Sequence, residues 1–471
     1  MTSEGLRRTN TTHGNHPALN WETTNSWLPV LWAIIAAFGT YFCMYAFRKP
    51  FTVSQYSDMT AWGWQYKTCA VVAQVMGYAL SKFIGIKVLS ELPPNRRAAC
   101  LIGLILSAEL ALVLFGVVPA PYNVICLFLN GLPLGMVFGL VLGFLEGRQR
   151  TEALAAGLCT SFILADGVTK SAGKALLEAG VHPFWMPATA GAIFLLPLLL
   201  FVWMLNRIPH PSAADVSARS QRSPLSSRER RAFFQRYSWG LIPLLLMFLL
   251  VTVLRSIRSD FAPDIWKSLG VITTPELFSF SEIWVGLAVT LANGIAILVI
   301  DNYRAFRLAL ATCVIGLVIL LVATLGEQMQ LVSPFMFMVL LGIGLYLPYV
   351  ATHTTIFERL IAMTRDKGNL VFLMYLADSV GYLGYVVVML ARNAMQPEAD
   401  FMTFFRPTCY FVGVASLIAM LFCRLYFARV MRGIASLSPA TADLPVQSIS
   451  PLPQPALREF KTDAERQATF P

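Results

Sequence analysis

The chain has 471 residues, of which 56% are hydrophobic and 13% charged. A soluble protein of this length carries roughly twice that share of charge, so the composition excludes a water-soluble globule and selects lipid as the solvent. The net charge of +10 reads as the basic loops of a membrane protein, and no nucleic-acid partner is expected.

The first 26 residues are polar and lack a short apolar run ending in small residues, so the first hydrophobic segment is expected to remain in the mature protein. A spanning helix needs ~20 apolar residues. Windows of that kind fall at 27–49, 64–86, 98–118, 122–145, 153–177, 184–206, 238–262, 277–300, 306–326, 332–357, 369–391 and 403–428. The expectation is an all-α membrane protein of twelve transmembrane helices. Residues 207–237, with seven arginines, make the one long internal connection. It divides the chain into a six-helix half at 27–206 and another at 238–430. Residues 1–26 are read as an N-terminal tail. Residues 431–471, rich in Pro, Ser and Ala, are read as a disordered C-terminal tail.

Lys and Arg fall 25 to 5 between alternate sets of loops. The richer side faces the cytoplasm, so both termini are expected to be cytoplasmic in a multi-pass cell-membrane protein, with a bacterial inner membrane as its setting. The eight cysteines all lie in apolar segments without CxxC spacing or neighbouring histidines. They read as packing residues, not disulfides or metal ligands, and no cofactor is expected.

An ionisable group inside a spanning helix costs roughly 2.5–3.5 kcal/mol on insertion scales. The groups to explain are Arg48, Lys82, Glu109, Asp166, Lys170, Lys174, Arg255, Arg258, Asp260, Glu282, His353 and Asp378. Arg48 and Lys82 can snorkel to headgroups or face a site. Asp166 and Lys170 are one turn apart and can neutralise each other. Arg258 and Asp260 are placed near an interface with water. Glu282 and Asp378 can pair with Arg255 or carry a coupling proton, or form fixed structural pairs. Glu109 and His353 read as packing or lipid-interface residues.

Three segments carry a family resemblance. They are Arg48-Lys49-Pro50-Phe51 after a tyrosine-rich stretch, Gly77-Tyr78-Ala79-Leu80-Ser81-Lys82-Phe83, and Leu254-Arg255 followed by Asp260 and Pro263. Together with the six-plus-six layout, the chain resembles the major facilitator superfamily, and within it the organophosphate:phosphate antiporters that carry glycerol-3-phosphate or hexose phosphates. The resemblance implies two pseudo-repeat halves with substrate bound between them near the midplane. It implies that Arg48 and Arg255 clamp a phosphate from opposite halves, that Lys82 borders the site, and that Lys49 adds to its field. Guanidinium suits the role because it is planar, permanently charged and bidentate toward phosphate. Two segments depart from the pattern. Asp166 stands where the family has a histidine, with Lys170 as its neutralising partner. Glu91 is a shifted substitute for a gating aspartate.

The function implied is secondary active transport of a small anionic, phosphorylated solute by alternating access, in exchange for phosphate. The partners are that solute and the lipid bilayer, and the chain is expected to be a monomer. The alternative is a non-transporting receptor for a sugar phosphate or other organic anion. Enzyme function is not expected, because the sequence holds no zincin pair, nucleophile elbow or phosphate-cradling glycine loop.

Overall fold

The computed structural model describes residues 28–145, 151–208, 227–297, 299, 301–364, 370–395 and 400–437. The chain divides into two compact units, Met1–Arg424 and Leu425–Pro471. The first holds everything discussed below; the second is helical as far as Leu437.

Among the described residues, twelve helices have 17 residues or more: α1 (Leu28–Met44), α2 (Tyr66–Glu91), α3 (Arg97–Val117), α4 (Val124–Leu145), α5 (Thr151–Glu178), α6 (Met186–Asn206), α7 (Ser227–Asp260), α8 (Pro275–Ile297), α9 (Asn302–Gln328), α10 (Pro334–Ala351), α11 (Leu370–Met395) and α12 (Phe401–Leu437). Each falls on one of the twelve apolar windows. α7 starts at Ser227, inside the segment read as linker, and α10 continues through a π-helical turn, Thr352–Ile356, into a helix at Phe357–Thr364. Ten helices are long and apolar enough to span a bilayer. The other two are α5 and α11, which carry Asp166 with Lys170 and Asp378 in mid-helix. The exposed surface includes Leu110, Leu196, Leu200, Ile242, Leu291 and Phe422, an apolar exterior that only lipid can solvate. The protein is therefore a multi-pass α-helical membrane protein.

Within the first half, α2 and α4 meet at backbone contact. A Cβ on Gly77 would lie 2.1 Å from the Phe128 carbonyl oxygen, and one on Gly131 would lie 2.1 Å from that of Gln74. Small residues at such a seam replace the hydrophobic drive that lipid cannot supply. Across the halves, α2 packs on α11 and α5 on α8. Between α1 and α2 the strands β1 (Thr60–Ala61) and β2 (Trp64–Gln65) form a small hairpin, Thr60 opposite Gln65. Its turn residues Trp62 and Gly63 have φ of 52° and 81°, and glycine adopts such values at no steric cost. This end of the bundle is called the hairpin end below.

Candidate functional site

α1 stops at Met44, and two 3₁₀ turns follow, Tyr45–Phe47 and Pro50–Val53. Pro50 has no N–H to continue the helical ladder. The carbonyls freed by the break are taken up by polar side chains of the neighbouring helices. Gln74 donates to the Arg48 carbonyl at 3.1 Å, and Asn130 donates to the Phe47 carbonyl at 3.1 Å. Gln74 and Asn130 also bond each other at 2.8 Å. This junction fixes Arg48 where its side chain turns into the protein, 4% exposed. Its guanidinium lies 4.0 Å from the Tyr78 ring centre and 5.7 Å from that of Tyr382.

Arg255 arrives from α7 in the other half and is 6% exposed. Its guanidinium lies 4.3 Å from the Tyr349 ring and 5.7 Å from the Tyr346 ring, and Nη2 is 3.5 Å from the Tyr382 hydroxyl. Tyr382 of α11 thus touches both arginines, and the Nε of Arg255 has no hydrogen-bond partner among the described residues.

Every buried carboxylate of the cluster has a cation of its own. Asp166 takes Lys170 at 2.6 Å, Asp260 takes Lys49 at 2.5 Å and Glu282 takes Arg258 at 2.9 Å. Asp378 takes Lys82, with His353 Nε2 at 3.3 Å on its other oxygen. Among the described residues, no carboxylate lies within ion-pair distance of Arg48 or Arg255. Among the described residues, these two buried positive charges therefore have tyrosines, and no carboxylate, as partners. Cation–π contacts recover about 2 kcal/mol each when desolvated, less than the burial of an unpaired charge costs.

The other site candidates fall into place around them. Lys49 bonds Ser259 Oγ at 2.7 Å as well as Asp260, and Asp260 accepts from the Tyr385 hydroxyl at 2.9 Å. Lys170 also donates to the Ser259 carbonyl, and Ser259 Oγ donates to Asp166 at 2.8 Å. The Asp166–Lys170 pair is thus wired into α7. Lys82, expected to border the anion, is engaged with Asp378. Glu282 and Asp378, for which pairing with Arg255, a coupling proton and a fixed structural pair were all open, hold Arg258 and Lys82. Arg258 and Asp260, placed near water on sequence grounds, are buried, Arg258 against Glu282 and the Met338 carbonyl and Asp260 against Lys49 and Tyr385. Helix α2 reaches Glu91, whose side chain lies outside the described residues.

Sequence reasoning missed the tyrosines Tyr78, Tyr346, Tyr349 and Tyr382, and it read His353 as packing. Tyr346 and Tyr349 stand three residues apart on α10, a spacing that puts both on one helix face. That was the available signal.

At the hairpin end the halves meet through Lys67 and Asp264, 2.6 Å apart, and through the Gln65 N–H and Asn393 Oδ1 at 3.3 Å. A cavity of about 510 Å³ opens there, lined by Ser54, Tyr56, Lys174, His182, Phe184 and Pro263 among others. Neither arginine lines it. Toward the other end, Thr160 of α5 and Thr290 of α8 bond at 2.8 Å.

The chain superposes on the crystal structure of a D-xylose–proton symporter with a TM-score of 0.58. The match covers 84% of this chain and 97% of that one at 13% sequence identity, so the likeness is one of fold, and the fold is of the major facilitator type. No curated protein matches the sequence. The resemblance to organophosphate:phosphate antiporters stays at the level of its three motifs. Residues 50–430 match the sequence profile described as a family of unknown function, DUF5690, and it is to this family that the chain belongs.

Proposed function

We propose that the protein is a secondary carrier of a small anionic, phosphorylated solute, working by alternating access in exchange for phosphate. The observation that carries this reading is the pair of buried, unpaired arginines contributed by opposite halves. An anion between them supplies the missing countercharge, and a phosphate offers each guanidinium two acceptor oxygens. The tyrosine faces orient both side chains without neutralising them, which leaves the charge for a ligand. Without an anion the two like charges repel and work against the ties between the halves. With a dianion bound they draw the halves together, so reorientation favours the loaded carrier and exchange follows.

Lys49 and Lys82 act through the acids they hold. Each ties the first half to the second, through Asp260 and Asp378. Asp166 and Lys170 fix the position of Ser259 beside Lys49. The carrier works as a monomer with both termini in the cytoplasm.

The test is counterflow of labelled phosphate in proteoliposomes loaded with phosphate or a sugar phosphate, alongside thermal-shift measurements with the same compounds, since a ligand of the folded state raises its stability. Wild-type protein is expected to exchange. Arg48→Lys and Arg255→Lys keep the charge but lose the fork, and each should reduce exchange at least tenfold with membrane expression intact. Undiminished counterflow in both variants removes the clamp, and stabilisation without exchange turns the reading toward a receptor.

A further inference from the structure

One buried cluster has no task in anion binding. His353 sits in the π-helical turn Thr352–Ile356, and such one-turn widenings occur frequently at functional sites. Its Nδ1 lies 3.1 Å from the Tyr349 carbonyl. A carbonyl oxygen only accepts, so Nδ1 carries the hydrogen, and Nε2 of the neutral ring is a bare acceptor. Nε2 is 3.3 Å from Asp378 Oδ1. That oxygen is buried and has no hydrogen-bond donor among the described residues. Two acceptors thus face each other across a gap that one proton would bridge. The second carboxylate oxygen, Oδ2, is held by Lys82 of α2, from the opposite half.

Among the described residues, the surroundings contain no second carboxylate to compete for that proton. The charged and titratable groups facing the cluster are Lys82 and Tyr78 from α2, Tyr382 from α11, Tyr349 from α10, Arg255 from α7 beyond the Tyr349 ring, and Arg48 beyond the Tyr78 and Tyr382 rings. From α7 the Phe248 ring also packs against His353 at a tilt, with ring centres 5.1 Å apart. α5 contributes Phe162 against Tyr349, and α9 contributes Cys313 against the Pro348 carbonyl.

We propose that His353 and Asp378 form a proton-binding site in which Lys82 and the proton are alternative countercharges, so that withdrawal of α2 from α11 takes up one proton. The inference rests on the reading of the chain as an alternating-access carrier. With α2 docked, the Lys82 ammonium balances the Asp378 carboxylate and the imidazole stays neutral. When α2 withdraws, the carboxylate would stand alone in a medium that tolerates no isolated charge. A proton from water then adds to the Nε2 lone pair. The imidazolium donates to Oδ1, and the pair is neutral again. Return of Lys82 expels the proton. Each opening of this contact thus takes up one proton and each closing gives it back, so the ease of opening depends on the pH of the compartment that the contact faces.

Lys82→Met imitates the withdrawn state without any substrate. ¹⁵N NMR of the histidine rings in lipid nanodiscs reads the protonation directly. The chain has five histidines, and the signal of His353 is identified by its loss in His353→Gln. The expected result at neutral pH is a neutral Nδ1–H ring in the wild type and an imidazolium in Lys82→Met, reverting to neutral when Asp378→Asn is added. Lys82→Gln serves where Lys82→Met does not fold. A ring in the same protonation state with and without Lys82 overturns the proposal. The phosphate counterflow assay is run on the same wild-type preparation. Counterflow without the protonation switch removes the proton site alone. A switch without phosphate counterflow keeps the proton site and removes the anion-exchange reading.

Discussion

Arg255 Nη2 lies 3.5 Å from the Tyr382 hydroxyl. That ring also faces Arg48, so one tyrosine of α11 positions both cations that lack a carboxylate. Tyr382→Phe keeps the ring and removes the hydroxyl. A hydrogen bond to a charged group contributes about 1.5–3 kcal/mol. The contact is at the long limit, so the lower end applies, and phosphate affinity is expected to fall roughly tenfold. Isothermal titration on purified protein measures it. An unchanged dissociation constant would show that the hydroxyl does not orient Arg255.

The Asp166–Lys170 pair is fully buried and hydrogen-bonded at 2.6 Å. Removing one member strands the other, at a cost of about 3–5 kcal/mol. Asp166→Asn and Lys170→Met should each lower the melting temperature and the yield. The double variant should recover much of the loss. Strict additivity in the cycle argues against the pairing. Lys49, 3.5 Å from Asp166, softens the Lys170 effect more than the Asp166 effect, so the two single losses are expected to be unequal.

Reporter fusions test the orientation drawn from the loop charges. Fusions at 220 and at the C-terminus are expected in the cytoplasm, and a fusion near 396 outside. An external reporter at 220 inverts the assignment and, with it, the side of the membrane served by the hairpin end.

Lys67 and Asp264 hold the halves together at the hairpin end. With cysteines at both positions, a short bis-methanethiosulfonate cross-linker, which joins each thiol through a disulfide with loss of methanesulfinate, should lock that contact. Counterflow should stop on cross-linking and return on reduction. Full activity in the locked protein would mean that the hairpin end does not open during transport.

The helix count was legible because lipid imposes a single rule on each span, about 20 apolar residues. The twelve windows and the twelve helices agree for that reason. Arg48, Lys49, Lys82, Asp166, Lys170 and Arg255 were singled out because a charge in an apolar run is conspicuous. Partner choice was not legible. Glu282 takes Arg258 instead of Arg255, and Asp378 takes Lys82, because pairing depends on which helix faces meet across the halves. Hydropathy carries no such information. The tyrosines that cradle the arginines escaped notice because an aromatic in an apolar helix looks like packing. His353 escaped for a related reason: a π turn re-aims a side chain without any mark in the residue pattern.

Helix α2 carries two of the ties between the halves, Lys67 near its start and Lys82 fifteen residues later. At 1.5 Å per residue they stand about 22 Å apart on one rod, and the backbone seam with α4 keeps that rod from bending alone. Such a rod behaves as a seesaw. A tilt of about 10° around its midpoint shifts each end by about 2 Å, enough to break an ion pair at one end while pressing the other closed. The two directions differ in difficulty. Detaching Lys67 frees Asp264, whose side chain is 26% exposed and can be rehydrated at once. Detaching Lys82 frees Asp378, 9% exposed, which water does not rehydrate at once and which therefore needs another countercharge. The two ends are thus latched unequally, and on the carrier reading proposed above the Lys82 end is the harder one to release.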